Sequence, residues 1–91
     1  MSAAATVVAV WVLGCPTQPE ALDAVRAQGH EALASPRHPD RLAAAVDALQ
    51  GMPHCRLLWP GARGVALART PYLVRIGLPD GPLWVEAGAV R

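Results

Sequence analysis

Lysine, asparagine and phenylalanine are absent from this chain, and charged residues fill only 16% of its 91 positions. Each shortage removes something. With no lysine and a formal net charge of +1, there is no global pull toward nucleic acid or an acidic membrane surface. Few charges set against 53% hydrophobic content exclude intrinsic disorder, which needs the reverse balance. No apolar run approaches the roughly 20 residues of a membrane span. Neither Gly-x-Gly-x-x-Gly nor a P-loop occurs, so no dinucleotide or phosphate cradle is spelled out and no cofactor is implied. The excess of Ala, Leu, Val, Arg and Pro reads as coding bias toward GC-rich codons. The length suits one domain, 1–91, near the lower size at which a core is stable unaided.

What charge there is lies unevenly. Residues 1–50 hold three arginines against five acids, and residues 51–91 hold five arginines against two. A solvated face explains so mild an asymmetry.

"VVAVWVLGCPTQPE", residues 7–20, is the most apolar stretch. Val12-Leu13-Gly14-Cys15 has the form of a lipobox, but an export signal needs a positively charged start and residues 1–6 carry no Lys or Arg. Its β-branched and aromatic content, without polar alternation, reads instead as a central strand buried on both faces. Thr17-Gln18-Pro19-Glu20 then forms a capping box, and a helix over about 19–28 follows, with Ala21, Leu22, Ala24 and Val25 on one side and Gly29 as its C′ residue. "HEALAS" sits where a short second strand would fall. A second helix spans about 39–50, with Leu42, Ala45, Val46 and Leu49 as its apolar stripe and Gly51 and Pro53 as its stop.

"CRLLW", "GVALAR", "YLVRIGL" and "PLWVEAGA" read as further strands. Pro79-Asp80-Gly81 between the last two predicts a hairpin turn with a positive φ at Gly81. The fold class that follows is α/β or α+β: a small mixed sheet of about four to six strands with two helices, an N-terminal βα(β)αβ part and a C-terminal antiparallel hairpin or meander.

Cys15 is the one chemical candidate for catalysis. It would sit past the end of the first strand and before a helix N-terminus, where open α/β sheets bind ligands and where a thiol pKa falls. It lacks a Cys-x-x-Cys partner, and Ala21 stands where a phosphatase-like loop would place its arginine. The plainer reading is a small residue packed at a strand end. If the strands holding Cys15 and Cys55 run parallel, the two lie at opposite ends of a strand about 17–20 Å long, beyond the roughly 7 Å Cα reach of a disulfide. Two free thiols and a reducing, cytoplasmic setting are then expected. His30, His38 and His54 neighbour Gly or Pro in predicted loops and show no zinc-ligand spacing, so no metal site is expected. Pro79-Asp80 and Glu86 have the order of a nuclease metal pair, but Gly88 stands where that pattern needs lysine, and a hairpin accounts for every residue.

Trp11 and Trp59 fall in the most apolar strands and read as core. Trp84 shares a strand face with Glu86 and, across the hairpin, Arg75, which is the pattern of a cation–π pair or of an interface anchor. Two classes of function result. The first is a non-enzymatic interaction or assembly module that docks a protein partner or a second copy through its C-terminal sheet, with Trp84, Arg75 and Glu86 as binding residues; nucleic acid and membrane are not expected partners. The second is a small α/β ligand binder or thiol-dependent enzyme using the Cys15 loop. The balance favours the first.

Overall fold

A computed structural model describes residues 5–28 and 41–91. The elements in chain order are β1 (Thr6–Val7), β2 (Val12–Gly14), α1 (Gln18–Gln28), α2 (Arg41–Gln50), β3 (Arg56–Leu58), β4 (Arg63–Arg69), β5 (Leu73–Leu78), β6 (Gly81–Glu86) and a closing 3₁₀ turn (Ala87–Ala89). Among the described residues, two helices and six strands match the expected class. The "HEALAS" segment, Gly29, and the first two residues expected of the second helix lie outside the described residues.

The strands form one sheet in the order β1-β4-β5-β6 and a second of β2 and β3, and every pair is antiparallel. The long apolar N-terminal stretch serves both. Its first part pairs with β4, while Val8 also bridges Val90, and Val7 exchanges two 2.8 Å hydrogen bonds with Arg91. Its second part pairs with β3, and Cys15 bridges Trp84 in β6. The sheet therefore curls until the chain beyond β6 returns to β1.

Alternation along the strands sorts side chains into two cores. Inside the curl lie Val8, Val12, Leu58, Val74, Ile76, Leu83 and Val85. Each fully buried aliphatic side chain there contributes about 1.5–3 kcal/mol. On the outer face, Leu13, Cys15, Cys55 and Leu73 pack against the two helices, which present Ala21, Ala24, Ala45 and Ala48.

α1 starts where its capping box requires. The Glu20 backbone N–H donates to Thr17 Oγ1 at 3.4 Å, and the Thr17 hydroxyl donates to Glu20 Oε1 at 2.8 Å. α2 is turned from its expected orientation. Its buried face is Arg41, Ala45 and Ala48, while Leu42 and Val46 are 40% and 42% exposed. Small residues win that face because alanine lets helix backbones approach closely, since interaxial distance follows the side chains at the contact.

The parallel arrangement of the N-terminal half does not form. One helix between two strands carries the chain back to the strand's start and yields a parallel pair. Here β3 instead enters antiparallel to β2, with Val12 opposite Leu58 and Gly14 opposite Arg56.

Candidate functional site

That antiparallel register decides the chemistry of Cys15. Continuing the ladder one step places Cys15 opposite Cys55, and the two are joined in a disulfide with Cα atoms 4.2 Å apart. The expectation of two free thiols is overturned, because it assumed parallel strands that separated the pair by a strand's length. Both cysteines are buried, and neither thiol is available as a nucleophile or as a lipid attachment point.

The structure does bring the proposed binding residues together. Arg75 lies directly opposite Trp84 in the β5–β6 ladder, and Glu86 stands opposite Leu73. The setting is not the one foreseen. Trp84 is half-buried against the helix-facing core, and its backbone N–H and C=O are both engaged by Cys15, at 2.7 and 2.9 Å. The middle of the β6 edge is thus already occupied from within the chain. Arg41 reaches the same layer: it is buried, its Nε donates to the Trp11 carbonyl oxygen at 3.3 Å, and desolvation lowers its pKa from the ordinary value while the charge of Glu86 acts the other way. The expected surface anchor is a half-buried polar seam, with Trp84 packed on the helix-facing core.

The exposed features lie on β4 and the turn before it. β1 reaches only Arg63 and Gly64, so among the described residues the outer edge of β4 from Val65 to Arg69 has no strand beside it. Val65 and Leu67 are 47% and 54% exposed. Their partners in alternation, Gly64 and Ala66, face inward because the curl is tight there. A Cβ on Gly64 would collide with the Ile76 side chain and come within 2.6 Å of the Gly77 carbonyl oxygen. The small residues are driven in and the large ones out, with a register shift between Ala66 and Ala68 throwing Leu67 further outward.

Trp59, expected in the core, is 57% exposed. It opens the turn Trp59-Pro60-Gly61-Ala62, in which Gly61 takes φ +99° and the Ala62 N–H donates to the Trp59 carbonyl oxygen at 3.1 Å, the arrangement of a type II turn. The turn is fastened to the N-terminal stretch: the Gly61 N–H donates to Val8 O at 2.7 Å and the Val8 N–H to Ala62 O at 2.8 Å. Beside it opens a cavity of about 390 Å³. The signal for Trp59 was in the sequence, since a residue directly before Pro-Gly belongs to a turn rather than to a strand interior.

The remaining polar groups form ordinary surface pairs. Arg56 meets Asp80 at 2.7 Å and His54 Nδ1 lies 3.1 Å from Glu20 Oε2. Asp80 thus belongs to an ion pair at a hairpin turn, where Gly81 has the expected positive φ of +126°. Among the described residues no group of three or more His, Cys, Asp and Glu side chains gathers as a metal site would require, and no helix is long and apolar enough to cross a membrane. No protein-family model, curated protein or solved structure matches the chain.

Proposed function

We propose that this chain is a small non-enzymatic interaction module that works through its C-terminal sheet, with β4 as the contact strand. The observation that supports this reading is the β4 edge from Val65 to Arg69, which has no strand beside it among the described residues, with Val65 and Leu67 exposed along it. A strand edge offers a row of backbone donors and acceptors, and nothing blunts this one with proline or lysine. Strand addition is the binding mode such an edge supports, with backbone hydrogen bonds supplying affinity and alternate side chains supplying specificity.

Charge selects the occupant. β4 carries Arg63 and Arg69 and no acid. A second copy pairing antiparallel about Ala66 would set Arg63 against Arg69 at both ends, and like charges directly opposite are destabilising. The partner is therefore an extended segment of another protein, apolar in its middle and acidic at its ends. The Cys15–Cys55 bridge supports an oxidising compartment over the cytoplasmic setting expected from the sequence. The thiol-dependent alternative loses its nucleophile.

The test uses a seven-residue peptide of alternating valine and threonine with glutamate at both ends, beside a counterpart with lysine at both ends. Backbone amide shifts of the ¹⁵N-labelled protein should move along 65–69 with the acidic peptide and much less with the basic one. Sedimentation at rising concentration should show a monomer. Shifts confined to other surfaces, equal response to both peptides, or a concentration-dependent dimer abolished by Leu67→Glu would each overturn the reading.

A further inference from the structure

We infer that the cavity beside Trp59 is a binding site for a small molecule with a flat apolar body and one carboxylate. Its volume of about 390 Å³ lies within the range of small-ligand pockets, about 300–1,000 Å³. The chemistry of its lining is divided. Leu58 and Ala62, both buried, and Leu78 form an apolar floor, while the Trp59 indole stands as an exposed wall. Two guanidinium groups, from Arg56 and Arg63, lie at the rim against a single carboxylate, Asp80.

That carboxylate is taken. Arg56 holds Asp80 at 2.7 Å, which leaves Arg63 with no ion pair among the described residues. The rim thus carries one unbalanced positive charge next to an aromatic face, and the complement of that pair is an anion joined to a flat apolar group. Arginine suits the role because its planar fork binds a carboxylate through two parallel hydrogen bonds.

The site is built in advance. Trp59 is displayed from a type II turn whose second half, Gly61 and Ala62, is tied to Val8, so little backbone ordering remains to be done when a ligand arrives. It is also separate from strand addition: the cavity lies toward β3 and the β5–β6 turn, and the open edge of β4 begins beyond it, at Val65. Arg63 alone borders both.

The probe is 1-naphthylacetate, compared with its neutral amide, with binding followed by amide shifts and by quenching of tryptophan fluorescence. The acid should bind at least tenfold more tightly than the amide, with shifts centred on 58–63 and 78–80. Arg63→Gln should weaken the acid about tenfold and leave the amide unchanged. Trp59→Ala should weaken both. Asp80→Asn, which releases Arg56 from its ion pair, should tighten the acid alone. Equal binding of acid and amide, shifts centred elsewhere, or weaker acid binding by Asp80→Asn would overturn the assignment. Naphthylacetate shifts that stay on the cavity while the strand peptides fail to move 65–69 would sink the interaction-module reading and leave this one standing.

Discussion

Removing the Cys15–Cys55 cross-link should lower stability by about 4 kcal/mol. The bridge spans a sequence separation of 40. In the chain-entropy treatment the cost of closing such a loop is about 2.1 cal/mol/K plus 1.5R ln n, which comes to about 13 cal/mol/K, or about 4 kcal/mol at 25 °C. A chain of this length has a total stability of roughly 5–14 kcal/mol, so the loss is more than a quarter of it. Two perturbations separate the cross-link from the packing of its atoms. Reduction by dithiothreitol opens the loop and keeps both sulfurs in the core, whereas the double variant Cys15→Ala, Cys55→Ala also removes buried volume. Equilibrium urea unfolding, followed by tryptophan fluorescence, should place the reduced protein's midpoint lower by about 3–4 M for an m-value near 1 kcal/mol/M. The double variant should fall slightly further. Thiol titration of the denatured, unreduced protein should find no free thiol. Two titratable thiols there, or a midpoint that reduction leaves unmoved, would refute the reasoning.

Gly64→Ala should destabilise by about 3 kcal/mol, since its methyl would strike Ile76 and the Gly77 carbonyl oxygen in a core with little slack; thermal unfolding checks this, and a change below about 0.5 kcal/mol would show that the curl is looser than described. Arg41→Ala should cost about 1.5–3 kcal/mol, because it removes the hydrogen bond of a buried guanidinium to the Trp11 carbonyl oxygen and its attraction to the half-buried Glu86; Arg41→Lys should recover part of that in the same urea assay. At the β5–β6 turn, Gly81→Val should cost roughly 1–3 kcal/mol through its positive φ. Asp80→Asn, which breaks only an exposed ion pair, should cost well under 1 kcal/mol by the same measurement.

Local signals read from the sequence survive where they concern a few neighbouring residues. The Thr17 cap, the stop after Gln50 and the positive φ at Gly81 each depend on backbone groups within one turn, and each is where the residues put it. Longer-range inferences fail where a second element decides. The direction of β3 depends on how the chain between it and β2 returns to the sheet, which no residue in either strand encodes. The outward stripe of Leu42 and Val46, and the inverted alternation of β4, break the assumption that the larger apolar face turns inward. In both places the available gap is too narrow, and alanine or glycine takes it. Trp84 and Arg75 lie opposite each other across the hairpin as the sequence implies, but the helices that pack beside Trp84 come from the other end of the chain.

The mutual hydrogen bonds of Val7 and Arg91 set the order of assembly during synthesis. Residue 7 must wait for a partner 84 positions later, and at a ribosomal rate of about 5–20 residues per second that delay is about 4–17 s. Over that interval Val8 lacks the neighbour that Val90 supplies, while both cysteines have already been added to the chain. Contacts of such separation also slow the final closure once all the residues are present, because loop entropy is lost before the contact is gained. The Cys15–Cys55 bridge needs only residues up to 55 and can precede the pairing of Val7 and Val8 with residues 90–91, so the N-terminal strand is the element left waiting longest for its neighbour.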